Sequence, residues 1–237
     1  MSVNHQDIIN ASILLCTLQI TDSMFPIGSF TQSYGLETYI QEGIINSAAS
    51  LKDFLTTYLR HALGHKDCLV ASLTYKYSLD NNFDLIIELD QLVNALKTSR
   101  ETREASLKVG KMMLKSVTQL FNYPLIKEYA GAVKNNVAFG HHAVVFGLIT
   151  QSIGLPLFQA STVFLYNAVT GMIQAGMKLI PLGQREGQDI LLSLHPVIIE
   201  TAQKVLTLEK SDLGTLTPAL EIRCMIHERL YTRLFMS

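Results

Sequence analysis

From Asn135 to Met177 the chain carries no Asp, Glu, Lys or Arg. A stretch that long without formal charge belongs inside a protein or inside a bilayer. His141, His142, Gln151, Gln159, Asn167 and Gln174 interrupt it, and its purest apolar run, Ala143 to Ile149, falls far short of the roughly 20 apolar residues that a bilayer core requires. Two buried helices are therefore expected, and a membrane-spanning reading is the lesser alternative. Hydrophobic residues are 48% of the chain and charged residues 16%, a balance that calls for a large core or extensive covered surface.

The rest of the sequence is also helical in period. Ile8, Ala11, Leu15 and Leu18 recur at helical spacing, as do Leu51, Leu55, Tyr58 and Leu59, and Leu85, Leu89, Leu92 and Leu96; no alternating run competes with them. Ser29-Phe-Thr-Gln32 and Thr98-Ser-Arg-Glu101 have the form of capping boxes, the first opening a helix that ends before Gly43, the second a long amphipathic one running to about Phe121. Pro156, Pro196 and Pro218 are expected in first helical turns, where a missing amide costs nothing. Turns fall at 80–82, 154–156 and 181–183. The expectation is an all-α fold, a single compact domain of roughly ten helices spanning residues 1–237.

A net charge of -1 and a pI near 6.6 provide no basic field for nucleic acid or an anionic membrane. Cys16, Cys68 and Cys224 are too few and too scattered for a disulfide framework, and no basic cluster precedes the short apolar stretch near the start, so a cytoplasmic protein is expected.

Few residues offer chemistry. His61, His65 and Cys68 stand at i, i+4 and i+7, which on one continuous helix would align three zinc or nickel ligands; a helical metal-dependent hydrolase using them is the alternative function, although no fourth ligand is in sight. His141 and His142 are adjacent and point about 100° apart on a helix. Gly171-Met-Ile-Gln-Ala-Gly176 has the glycine spacing of a phosphate loop but lacks its lysine and hydroxyl residue, so GTP binding by this chain is not expected. No cofactor is implied.

Three segments look unlike plain packing. Met24 to Glu37 mixes polar residues, aromatics and glycines at a turn entering a helix. Arg100 to Ser106 pairs Glu101 with Arg103 and Arg100 with Glu104, a solvated face in its ordinary reading, though arginine forks also suit carboxylates on a partner. At the C-terminal end Leu220, Cys224, His227, Tyr231 and Leu234 form one helical stripe, on which His227 reads as a packing histidine, and which docks on the chain's own core or on another protein.

In order and spacing these segments resemble the UreF family of urease accessory proteins. The resemblance is carried by Phe25-Pro-Ile-Gly-Ser-Phe with Ser33-Tyr-Gly-Leu-Glu37, by Arg100-Glu-x-Arg103 with Ser106 and Gly110, and by Pro218-x-Leu-Glu-Ile with His227-Glu-x-Leu-Tyr-Thr-Arg-Leu-Phe-x-Ser237. Phe146-Gly147, Pro181-Leu-Gly-Gln184 and Gly187-Gln188 add to it. It implies an all-α, homodimeric, non-catalytic protein that joins UreD (also called UreH) and the nickel-binding GTPase UreG on the route to apo-urease, linking the GTPase cycle to nickel insertion. It further implies partner-binding roles for Ser33, Tyr34, Gly35, Glu37, Arg100 and Arg103, and for His227, Glu228, Arg233 and Phe235 in a tail that orders against UreD.

Overall fold

Residues 4–28, 32–214 and 217–237 are described by the computed structural model, and helix follows helix along them. They are α1 (His5–Thr21), α2 (Leu36–Gln41), α3 (Ala48–Thr57), α4 (Asp67–Leu79), α5 (Phe83–Leu96), α6 (Arg100–Leu120), α7 (Pro124–Lys134), α8 (His142–Ser152), α9 (Leu157–Leu179), α10 (Gln184–Leu206) and α11 (Pro218–His227). A π-helical segment, Tyr58–Leu63, continues α3, and a 3-10 turn, Lys210–Asp212, follows α10. The all-α expectation holds.

The charge-free stretch becomes α8 and α9. Every residue of α8 from Ala143 to Thr150 is buried, and a helix apolar on all sides must lie in the middle of the fold. It packs between α4 and α6; α9 lies against α4 and α10, α2 rests on α9, and α11 sits on α2 and α6. Among the described residues no helix is long and apolar enough to cross a membrane.

An anchor at its head fixes where α8 starts. Asp90, fully buried on α5, accepts the amides of Phe139, of Gly140 at 3.2 Å and of His141 at 3.1 Å, placing a carboxylate at the positive end of the helix. His141 is neutral in this setting: its Nε2–H donates to Asn94 Oδ1 at 3.3 Å and its Nδ1 accepts from Ser106 Oγ at 3.0 Å. Burial pushes His141 and His142 each down from 6.5 to about 4.

An unfolded chain therefore takes up protons on both imidazoles before the folded one does. Their stabilisation is complete above about pH 6.5 and is lost as the pH falls towards 4, at up to ~3 kcal/mol for each group. Urea midpoints measured from pH 7 to pH 4 are expected to fall steeply below 6.5. His142→Phe, which preserves the stacking of His142 on Phe164 at 5.6 Å between centroids, is expected to retain more of its stability at pH 4.5.

Several expectations are corrected. The Thr98–Glu101 capping box does not form: α6 is capped from Ser99 without a side-chain bond, Thr98 donates instead to Glu221 at 2.9 Å, and Glu101 turns to another partner. Of the Ser29–Gln32 box, residues 29–31 lie outside the described residues; the next described helix opens at Leu36 and ends at Gln41, before Gly43. Pro156 caps α9 and Pro218 opens α11 as expected, but Pro196 lies inside α10, so the carbonyl four residues earlier, on exposed Leu192, goes without its helical donor.

α1 has the expected period but buries a different side. Thr17 and Ile20 face inward with Ile13 and Cys16 packed beside them, whereas Ile8, Leu14, Leu15 and Leu18 are each more than half exposed. Apolar side chains in such a row are unusual on a free surface.

Candidate functional site

The segment before α2 is bent by two consecutive left-handed residues, Tyr34 (φ 51°) and Gly35 (φ 86°). Space as well as backbone demands the glycine, because a Cβ at position 35 would lie 2.9 Å from Cys224 Sγ on α11. This bend turns the amides of Ser33 and Tyr34 towards one acceptor, the main-chain oxygen of Ser237, at 2.8 and 3.1 Å. The Ser33 hydroxyl donates to the same oxygen.

Glu37, on the first turn of α2 and 2% exposed, takes hold of the tail one residue pair further in. Its Oε1 accepts the amide of Leu234 at 2.7 Å and its Oε2 the amide of Phe235 at 3.1 Å. His227 Nε2 lies 3.0 Å from the same Oε2, and His227 Nδ1 lies 2.6 Å from Oε2 of Glu101. Arg233 completes the cluster, donating to Glu101 Oε1 at 2.6 Å. Two buried carboxylates are thus matched by one guanidinium, one imidazole and two amides, so the cost of burying charge is offset by direct partners.

This arrangement explains why the C-terminal stripe breaks. α11 stops at His227, where turn bonds from Arg229 to Ile226 and from Leu230 to His227 replace the helical ladder. Glu37 then serves the tail amides that a longer helix would have satisfied internally. Tyr231 is wholly exposed and Leu234 and Met236 more than half exposed, while Phe235 is buried; the stripe expected to include Tyr231 and Leu234 is confined to Leu220, Cys224 and His227.

At the rim, Arg100 reaches Glu228 at 3.0 Å and holds that carboxyl below its usual range. Arg103 donates to the Lys97 carbonyl at 2.8 Å. In place of the expected pairs of Arg100 with Glu104 and of Glu101 with Arg103, Arg100 and Glu101 take partners from the C-terminal end of the chain and Arg103 a carbonyl six residues before it. An open groove between α6 and the tail is lined by Gln32, Arg100, Glu104, Lys108, Arg233 and Met236. A cavity of about 240 Å³, lined in part by α11, touches Tyr34, Tyr58 and Cys224 and is flanked by the ion pairs Lys66–Glu221 and Lys97–Asp67.

All ten residues singled out from the sequence therefore lie on or around α2, the head of α6, α11 and the tail. Ser33, Gly35, Glu37, His227 and Phe235 are buried, Tyr34, Arg103 and Glu228 are half-buried, and Arg100 and Arg233 are exposed. Glu101 was the missing member; its signal was a carboxylate in a helical first turn that also carried two arginines, read as a local cap. Both carboxylates are occupied by donors of the protein itself, so the cluster is built to hold a segment of chain.

The candidate metal ligands are not brought together. The helix breaks at Lys66 (φ -119°, ψ -101°), leaving His61 exposed on the π-helical segment, while Cys68 is buried on α4 with its thiol donating to the Ser161 carbonyl at 3.8 Å. Burial pushes that thiol well up, so it stays protonated. Gly171 and Gly176 lie within α9, which gives no loop to cradle a phosphate.

The model of the UreF family matches residues 45–195. A urease accessory protein UreF of Bacillus sp. (strain TB-90) is 37% identical over 224 residues, covering 94% of this chain and 99% of that protein. One from Actinobacillus pleuropneumoniae is 38% identical over 220 residues, 93% of this chain and 97% of its own. A third, from Haemophilus influenzae (strain ATCC 51907 / DSM 11121 / KW20 / Rd), is 37% identical over 220 residues, 93% and 94%. With the family model matching well over half of the chain and the relatives nearly all of it, this chain belongs to the UreF family of urease accessory proteins.

Proposed function

We propose that this chain is a non-catalytic cytoplasmic scaffold of urease maturation, a homodimer that bridges a UreD/UreH-type protein and a UreG-type GTPase and so regulates GTP-dependent nickel insertion into apo-urease. The observation that carries this reading is the way the tail is held. Glu37 accepts two of its amides, Glu101 accepts from its Arg233 side chain and His227 lies between the two carboxylates, while Tyr231, Leu234 and Met236 of the tail and Ile222, Met225 and Ile226 of α11 are left exposed. Aromatic and methionine side chains of this kind are enriched in interface cores.

In this reading Tyr34, Arg100, Arg103, Glu228 and Arg233 contact partners through the surface they retain. Ser33, Gly35, Glu37, His227 and Phe235 act through the tail that they position. The exposed apolar row of α1 is a second contact surface, which supports assembly with another copy. No reacting group is required: a scaffold that binds one nucleotide state of a GTPase more tightly than the other couples the two sites by about 1 to 3 kcal/mol.

Deleting residues 232–237, or replacing Glu37 by alanine, is expected to lower co-purification with the UreD-type partner at least tenfold and to abolish urease activation. A loss of about 2 kcal/mol or more is usual when anchoring residues leave an interface. Capture should be measured with and without GTP and nickel, and helicity by circular dichroism. Normal urease maturation by both folded variants would overturn the assignment.

A further inference from the structure

α11 forms part of the wall of the 240 Å³ cavity, and its first turn is strapped to the body across it. Glu221 accepts from Lys66 through one carboxylate oxygen and from Thr98, at 2.9 Å, through the other. Lys66 also donates to Thr217 at 2.8 Å, and Lys97 pairs with Asp67 at 2.8 Å. Space of this size is therefore enclosed by the π-helical segment, the start of α4, the end of α5, the head of α6 and α11.

Much of the wall is apolar, with Ala62, Leu63, Val70, Val93, Leu96 and Leu220 contributing to it. A buried water needs about two to four polar partners, whereas an apolar cavity of about 150 Å³ stays dry and takes benzene. The larger volume here leaves room for a substituent on such a ring. Hydroxyl groups supply the hydrogen bonding. Tyr34 and Tyr58 bring phenols that burial keeps protonated. Ser99, 1% exposed, lines the same space, and its hydroxyl has no partner among the described residues. A buried hydroxyl left unpaired calls for a bound molecule to meet it.

Charge narrows the class further. Burial works against ionisation of Asp67, yet Lys97 holds its carboxyl below the usual range, so both ion pairs of the wall are formed and each is neutral as a pair. A net charge brought into the cavity would lie there without a counter-ion, at a desolvation cost that nothing offsets.

We propose that this cavity binds an uncharged, single-ring aromatic molecule bearing a polar group such as a carboxamide, and that the bound molecule pins α11 to the body. The ring takes up contacts that the apolar wall lacks when empty, and the polar group exchanges hydrogen bonds with the hydroxyls. Because the wall is drawn from α11 as well as from α4, α5 and α6, a ligand that touches all of them binds the docked arrangement of α11 in preference to any other. The site goes beyond the function proposed above, is a property of the free chain, and stands or falls apart from the partner assignment.

Benzamide is the probe, titrated into the full-length chain by NMR and then added for hydrogen exchange read by mass spectrometry. At about three times its dissociation constant it is expected to slow exchange of the peptide covering 218–227 roughly fourfold, the protection that mass action gives a single site. Benzoate and benzylammonium, which carry a negative and a positive charge on the same kind of ring, are expected to bind at least about tenfold more weakly. Tyr58→Phe keeps the ring and removes one hydroxyl, and should weaken benzamide by roughly fivefold while leaving toluene unaffected. Ala62→Leu fills part of the space, and should weaken both probes without lowering the thermal midpoint.

Benzamide that neither saturates nor slows exchange in α11 would overturn the site and leave ordered water as its occupant. Equal binding of benzoate would overturn the uncharged class. Benzamide affinity unchanged by both substitutions would place the probe elsewhere on the chain and would overturn the assignment as well; Tyr58→Phe alone decides the matter should Ala62→Leu fail to fold.

Discussion

Gly110→Ala is expected to cost the fold about 3 kcal/mol or more, at the upper end of what overpacking a core does. A Cβ at position 110 on α6 would lie 2.1 Å from the Gly140 carbonyl oxygen, 2.6 Å from the His142 nitrogen and 2.7 Å from the His141 carbonyl carbon. All three are backbone atoms at the head of α8, so no side-chain rotation relieves the clash. α6 and α8 must part, and the amides gathered on Asp90 lie in the segment that would be displaced. Gly131→Ala is the control: in the middle of α7, with nothing within 4 Å of its Cβ position, it is expected to stabilise by about 0.5 to 1 kcal/mol. Denaturant midpoints of the two variants should move in opposite directions. A Gly110→Ala loss below about 1 kcal/mol would mean that the two helices do not cross where the structure puts them.

Asp90→Ala is expected to be comparably damaging, at about 3 kcal/mol or more, since each buried donor left without its acceptor costs about 1 to 3 kcal/mol. The substitution strips the acceptor from the amides of Phe139, Gly140 and His141 together, and no solvent reaches them easily, since Asp90 and His141 are both fully buried. Asp90→Asn keeps one acceptor oxygen and should lose distinctly less. Equal midpoints for the alanine and asparagine variants would show that the carboxylate does not organise the α8 head.

Where apolar period and turn chemistry agreed, the fold could be read from the sequence. Leu51, Leu55 and Leu59 bury as their spacing predicts, and the turns at Asn81 and Gly154 take the left-handed backbone expected of such residues. The misreadings at the head of α6 and at the C-terminal stripe share a cause, which is that a local pattern was overridden by a distant partner. Thr98 and Glu101 form a good capping box on paper, yet they bond to Glu221, His227 and Arg233. The same holds for the final stripe, since spacing alone cannot foresee that Glu37 will accept the amides of Leu234 and Phe235.

Of the candidate site, the segments were legible through family resemblance, but their mutual contact was not. Asp90 has no place in that reading, and His141 enters it only as one of two adjacent histidines, without its partners. Their signal was present: Asp90 falls on the buried side of α5, between Ile86, Leu89 and Val93, and a carboxylate in an apolar stripe needs donors that the sequence must supply elsewhere.

The bonds joining Ser33 and Glu37 to the tail span about two hundred residues of chain. A polypeptide made from its N-terminus forward folds its earlier parts first, so the bend at Tyr34 and Gly35 waits about two hundred residues for its acceptor. During synthesis the helical body can assemble, yet the cluster around Glu37 is finished only once residues 227–237 have followed. Translation products that stop short of them would carry the helical core without the segment that Glu37 and Ser33 hold.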